Sequence, residues 1–283
     1  MRLALLFVSL LPLLAQPPAP DQRPVVAHEA MLGTLWMQHA TEYRALTLQT
    51  YRAARRMLDV ALADKSWTAS LEQEGDFTSK PPAIILDIDE TVLDNSTYEA
   101  RQARNLRTFQ PTEWRRWTSE KAAQPVPGAV ELCQYAASKG VTVFFLSNRD
   151  DDGTTYLTGE RADTLANLQQ AGFPVSEERL LLTNRGKGWT SDKVSRRKFV
   201  AASYRVLLLF GDDLNDFVNV RGLNIAQRTD KARPYESYWG ERWFALPNPT
   251  YGSFDLALII GKSAVNGEQR RAAKEAQLET REP

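Results

Sequence analysis

The stretch Ala83-Ile84-Ile85-Leu86-Asp87-Ile88-Asp89-Glu90-Thr91 sets four apolar residues directly ahead of two carboxylates one position apart. A short unbroken apolar run is what a strand covered on both faces requires. Four further runs of that kind follow, at Val141–Leu146, Leu180–Leu182, Val206–Phe210 and Trp243–Leu246. Helical patterns lie between them, among them Ala129–Lys139, bounded by Pro127 and Gly140, and Arg161–Ala171, ended by Gly172. Strand and helix in alternation predict an α/β fold, a doubly wound parallel sheet. Ligands of such sheets bind outside the carboxyl ends of the strands, so the residues after each run carry the information.

Three of those ends are chemically loaded. The first leads into Asp87 and Asp89, the second into Ser147-Asn148-Arg149, and the fourth into Gly211-Asp212-Asp213-Leu214-Asn215-Asp216. A turn after Asp87 would let Asp89 swing over its neighbour. Folding the sheet would then gather Asp87, Asp89 and Asp212 around one pocket. Carboxylates that close cannot all stay ionised unless a cation sits among them. Oxygen ligands imply a hard divalent ion, Mg²⁺ before Ca²⁺. Each signature has a plainer reading, an Asx turn with a helix cap for the first and a simple turn for Gly-Asp-Asp. Their coincidence at three strand ends favours an active site.

Composition narrows the chemistry further. Lys+Arg 35 balances Asp+Glu 35, so no basic face for a nucleic-acid polymer is implied. A single cysteine, Cys133, and two histidines, His28 and His39, exclude a disulfide framework and cysteine- or histidine-based zinc centres. Cys133 is expected to be a buried thiol, on an apolar stripe with Val130 and Ala137. Asp150-Asp151-Asp152-Gly153 resembles a fragment of a calcium loop but lacks the later ligands, and reads as a solvated turn.

Residues 1–15 read as a signal peptide, with Arg2, the apolar run Leu3–Leu14 and a small Ala15. The run is shorter than the ~20 residues that span a bilayer. Residues 16–28 read as a linker, its four prolines lying in Gln16–Pro24. The expectation is an exported protein, periplasmic or secreted, and no cysteine follows the apolar run to carry a lipid anchor. From Ala27 to Asp64 the spacing of Leu32, Trp36, Ala40, Tyr43 and Leu46 predicts one long packing helix. The polar tail from Lys262 reads as a surface helix with a frayed end.

The ordered signatures resemble those of the haloacid-dehalogenase-like (HAD) phosphohydrolases, and within them the branch of class C acid phosphatases and bacterial lipoprotein 5′-nucleotidases. The resemblance is carried by Leu86–Ser96, Val126-Pro127-Gly128-Ala129, Ser147-Asn148-Arg149, Gly211–Phe217, Leu246-Pro247-Asn248-Pro249-Thr250-Tyr251-Gly252, and the helix bearing Trp36, Glu42 and Tyr43. It implies a HAD-like Rossmannoid domain over residues 29–283, with 29–75 and 98–124 contributing a small, mainly helical cap. It also implies Asp87 as nucleophile, Asp89 as acid and base, Ser147 as a phosphoryl hydrogen-bond donor and Lys193, ahead of Lys187 and Lys198, as the counter-charge. Mg²⁺ would be held by the Asp87 carboxylate, the Asp89 backbone carbonyl and Asp212, with Asp216 or Asp213 completing the set. Asn148 and Arg149 would bind substrate, and Asp94 and Asn95 would organise the loop. Trp114 and Tyr251 match positions that clasp a nucleobase in the nucleotidase branch, with Trp117 competing for the role.

The function expected is an exported, Mg²⁺-dependent acid phosphatase or 5′-nucleotidase that hydrolyses small phosphomonoesters such as nucleoside monophosphates through an aspartyl-phosphate. The alternative is a non-catalytic binding protein for a phosphorylated ligand, against which an intact Asp87–Asp89 pair argues. Transfer to another alcohol, as in a phosphotransferase or mutase, would share the same intermediate.

Overall fold

The computed structural model of the chain describes residues 28–151, 159–262 and 266–280. The signal segment, nearly all of the linker, and Asp152 and Gly153 of the acidic turn lie outside the described residues. Among the described residues no helix is long and apolar enough to cross a membrane.

Helices α1 (Met31–His39) and α2 (Thr41–Ala63) lead to strand β1 (Pro82–Leu86). A short ladder, β2 (Leu93–Asp94) with β3 (Gln124–Pro125), brackets α3 (Ser96–Arg104) and α4 (Pro111–Glu120). The chain continues through α5 (Ala129–Ser138), β4 (Thr142–Asp150), α6 (Glu160–Gln170), β5 (Leu180–Thr183), α7 (Val194–Ser203) and β6 (Arg205–Gly211). It ends with α8 (Ile225–Ala232), β7 (Trp243–Ala245), α9 (Ser253–Ala257) and α10 (Gly267–Glu275). Five strands form one sheet in the order β5-β4-β1-β6-β7, every pairing parallel. All five apolar runs are therefore strands of the doubly wound sheet. One boundary differs: β4 runs on to Asp150, so Ser147, Asn148 and Arg149 belong to the strand.

Alternation sorts the apolar runs onto two faces. Ile84 and Leu86 pack with Tyr51 and Leu58 of α2 and with Leu132 and Cys133 of α5. Ala83 and Ile85 pack on the opposite face with Val200, Phe217 and Trp243. A bulge interrupts β6, where pairing passes from Ala83–Val206 to Ile84–Leu208 and skips Leu207. The freed Leu207 carbonyl accepts the Trp67 indole N–H at 2.9 Å, so the irregularity does not orphan it.

The long helix read from Ala27 to Asp64 is instead two. Ala40 is extended, with ψ 127, and separates α1 from α2. That residue turns the second helix about its axis, and the buried positions become Tyr43, Thr47, Tyr51, Ala54, Leu58 and Ala61. Of the expected stripe only Tyr43 is buried, whereas Leu32 is 76% and Leu46 39% exposed. Cys133 is buried as expected, but its companions are Ala129, Leu132 and Ala136 rather than Val130 and Ala137.

Register places the strand ends together. Leu86 lies level with Phe145 of β4 and Phe210 of β6. The next amide, Asp87 N–H, donates to the Phe210 carbonyl at 3.0 Å. From β1 the chain moves outward through β4 and β5, then returns to β6 on the other side of β1. Asp87 thus stands at the switch point of the sheet, where ligands of doubly wound folds bind.

Candidate active site

After Asp87 the chain folds back sharply. Glu90 takes φ 59, a left-handed conformation that costs a residue with a side chain about 1 kcal/mol. Its N–H donates to the Leu93 carbonyl at 2.8 Å, and Val92 and Leu93 both donate to Ile88 at 2.9 Å. This turn carries Asp89 away from its neighbour. The Asp89 carboxylate accepts Ser147 Oγ at 3.1 Å, Arg149 Nε at 3.1 Å, an Arg149 terminal nitrogen at 2.8 Å and Asn95 Nδ2 at 2.9 Å. Two carboxylates a single residue apart are therefore given separate surroundings.

Asp87 belongs to a different cluster. Asp87, Asp212 and Asp216 each offer a carboxylate oxygen within 4.8 Å of the others. Lys193, just ahead of α7, donates to Asp87 and, at 2.5 Å, to Asp216. Burial, opposed by Lys193 and reinforced by Asp216 and Asp89, raises the pKa of Asp87. Burial and then the charges of Asp87 and Asp216 push Asp212 well above the carboxylate range, partly relieved by a 2.8 Å bond from Asn248 Nδ2. Burial works against the Lys193 ammonium, yet Asp216 and Asp87 outweigh it and hold its pKa above the ordinary lysine value. One lysine cannot neutralise three clustered carboxylates, two of them buried, and the donor set fits a hard divalent cation.

Asp213 and Asp216, the two residues left open, differ in their hydrogen bonds. Asp213 turns its carboxylate to Asn215 N–H at 2.9 Å and to Ser253, whose hydroxyl lies at 2.6 Å and whose N–H also donates to it. Asp216 stays with Lys193 and accepts the Asp213 N–H at 3.0 Å. Lys187 lies over the Trp189 ring at 5.0 Å and Lys198 pairs with Glu74 at 3.4 Å, so Lys193 alone of the three candidates joins the carboxylates.

Residues 22–254 match the family model for the HAD superfamily, subfamily IIIB (acid phosphatase). The chain belongs to that family. It is similar to the class C acid phosphatase of Bacillus anthracis, at 31% identity and TM-score 0.77, over 90% of this chain and 98% of that one. A second structure of that enzyme, with tungstate bound, matches at 30% identity and TM-score 0.78 over the same shares. Acid phosphatase 1 of Solanum lycopersicum is 28% identical over 170 residues, 59% of this chain; the chain spans 57% of the length of that curated relative. Subfamily IIIB consists of acid phosphatases, which hydrolyse phosphomonoesters.

Other buried groups brace this IIIB site, and the sequence reading missed them. Arg196 reaches the Ser147 and Leu181 carbonyls, Asn148 Oδ1 at 2.7 Å and the Thr190 carbonyl at 2.9 Å. Its neighbour Arg197 grips Glu72 at 2.7 Å and donates to the Asn215 and Asp216 carbonyls at 3.2 and 3.0 Å. Consecutive arginines on a helix that packs against a core were the available signal, because full burial of either demands acceptors. Arg149 is likewise committed inside the protein, its side chain 2% exposed, whereas Asn148 is exposed and held by its bond from Arg196.

The aromatic candidates separate as well. Trp117 is buried and donates to Asn95 Oδ1 at 2.8 Å, which removes it from competition for a ligand. Trp114 is partly buried, edge-on to Tyr98 at 5.1 Å, and donates to Glu160 Oε1 at 3.0 Å. The Arg149 guanidinium lies 5.4 Å from its ring centre, so Trp114 adjoins the Asp89 network. Tyr251 is 38% exposed on the loop after β7. That loop is tied to the cluster through Asn248–Asp212, and α9, which follows it, is tied to Asp213 through Ser253.

Proposed function

We propose that this chain is an exported, Mg²⁺-dependent acid phosphatase that hydrolyses small phosphomonoesters, nucleoside monophosphates among them, through an aspartyl-phosphate on Asp87. The observation that carries the reading is the convergence of Asp87, Asp212, Asp216 and Lys193 at the switch point of the sheet. Family membership disfavours the binding-protein alternative, and a relative whose structure holds tungstate supports a site shaped for a tetrahedral oxyanion.

Asp87 Oδ attacks phosphorus, the bond to the ester oxygen breaks, and Asp89 gives that oxygen its proton. Asp89 then takes a proton from water, whose oxygen attacks the same phosphorus and restores Asp87 as phosphate leaves. Lys193 holds Asp87 and offsets phosphoryl charge. Ser147 and Arg149, the donors on Asp89, are of the kind a phosphoryl group draws to itself. Mg²⁺, bound by Asp87, Asp212, Asp216 and the Asp89 carbonyl, would neutralise the cluster and hold the phosphoryl oxygens. Asn148, fixed by Arg196, lines the same strand end. Trp114 and Tyr251 offer faces on which a nucleobase stacks, a contact worth ~1–3 kcal/mol. Export rests on Arg2 and the apolar run Leu3–Leu14.

Phosphate release from p-nitrophenyl phosphate, measured for wild type and Asp87→Asn with and without chelator, tests the reading. Loss of activity on substitution and on chelation, restored by Mg²⁺, is expected. Activity that survives Asp87→Asn refutes it. A Trp114→Ala variant is expected to raise KM for nucleoside monophosphates about tenfold and to leave glycerol phosphate nearly unaffected. An equal change for both would remove the nucleobase from the proposal.

A further inference from the structure

Asn95 occupies the first position before α3, where an asparagine ordinarily spends its side-chain oxygen on the first helical amides, a cap worth about 1 kcal/mol. Here it makes no such bond; the Ser96 amide is met by Asp94 Oδ1 at 2.7 Å instead. The fully buried Asn95 side chain points into the site, its Nδ2 donating to Asp89 Oδ1 at 2.9 Å and its Oδ1 accepting the Trp117 indole N–H at 2.8 Å. An indole N–H can only donate, so the amide oxygen must face Trp117 and the amide nitrogen must face Asp89. The Asn95 backbone is held too, its N–H donating at 2.8 Å to Glu90 Oε1 across the left-handed turn.

We infer that Asn95 is a positioning residue for Asp89, and that Trp117 acts through it to tie helix α4 to the acid and base of the reaction. The other donors on Asp89, Ser147 and Arg149, are hydroxyl and guanidinium groups that an arriving phosphoryl dianion attracts. Asn95 is pinned from behind by Trp117 and from below by Glu90, and cannot follow them. It therefore keeps the Asp89 carboxyl aimed when the other two are drawn to substrate. The 2% exposed Trp117 ring, with the Arg101 guanidinium 5.1 Å from its centre, makes the anchor rigid.

This inference rests on the reading of Asp89 as proton donor, and leaving-group dependence tests both. p-Nitrophenolate departs readily without a proton, whereas an alkoxide needs one, so misaiming the acid penalises glycerol phosphate selectively. kcat/KM is measured on both substrates for wild type, Asp89→Asn, Asn95→Ala and Trp117→Phe. Asp89→Asn is expected to lose about 100-fold more on glycerol phosphate than on the aryl ester. Asn95→Ala should lose about tenfold more, and Trp117→Phe, which keeps an aromatic ring but deletes the indole N–H together with its pyrrole ring, should shift the same way by less. Equal losses on both substrates for Asn95→Ala and Trp117→Phe, with Asp89→Asn still selective, overturn the inference alone. Equal losses for Asp89→Asn overturn the reading beneath it. Should Asn95→Ala fail to fold, Trp117→Phe decides: selectivity supports the inference, and unchanged selectivity overturns it.

Discussion

Gly211 closes β6 directly beneath Asp216, and its replacement by alanine makes a severe demand on the site. A Cβ built there would lie 2.1 Å from Asp216 Oδ2, 2.2 Å from its Cβ and 2.4 Å from its Cγ, where ordinary contact begins at 3.4 Å. The clash reaches the root of the side chain, so a rotamer change cannot relieve it; Asp216 must move bodily by more than about an ångström. Such a shift breaks both bonds that hold it, the 2.5 Å contact from Lys193 and the 3.0 Å contact from the Asp213 amide. Overpacking of this kind costs about 1–3 kcal/mol of stability, and an ångström of misplacement costs about 100-fold in rate. Gly211→Ala should therefore remain folded with a lowered Tm and lose kcat/KM on p-nitrophenyl phosphate about 100-fold. Its Mg²⁺ requirement should rise as well. A variant within threefold of wild type at unchanged Mg²⁺ requirement would refute the packing argument and, with it, the place of Asp216 in the cluster.

The two neighbouring aspartates should part company on substitution. Asp216→Asn is expected to raise the Mg²⁺ concentration for half-maximal activity by about tenfold or more. Asp213→Asn should leave that concentration nearly unchanged and cost about 1.5–3 kcal/mol in denaturant unfolding, through its Ser253 bonds. Glu99 gives a pH signature. Burial pushes its pKa up from 4.5 to about 7. The unfolded chain thus releases this proton first, and the native state loses stability as pH rises through that interval. Glu99→Gln should be more stable than wild type above pH ~7 by about 1–2 kcal/mol, allowing for partial exposure, and the advantage should vanish below pH ~4.5. A pH-independent difference in Tm would contradict the assignment.

The sheet was legible because its central strands are covered on both faces, leaving unbroken apolar runs that no surface helix shares. The carboxylates were legible because they follow those runs, and a doubly wound topology leaves only one end of the sheet for a site. What escaped depended on relations the linear pattern does not encode. The break at Ala40 has no proline or glycine to announce it, so the stripe through Leu32 and Leu46 continued on paper while α2 rolled to bury Thr47 and Tyr51 instead. Asp213 and Asp216 carry the same side chain three positions apart, and only the turn between them decides which faces Lys193. The braces at Glu72–Arg197 and Trp117–Asn95 join residues brought together by tertiary folding. Their trace in the sequence was polar residues where a core would place none.

The hydrogen bond from Asp87 to Phe210 makes Asp87 the last rung of the central ladder. Amides in that position exchange with deuterium only when the whole domain opens. Asp87, the proposed nucleophile, is thus expected to sit in the slowest-exchanging part of the molecule while its partners arrive on loops, and local fraying at the mouth of the site would leave it undisturbed. Inactivation by heat should accordingly coincide with global melting rather than precede it.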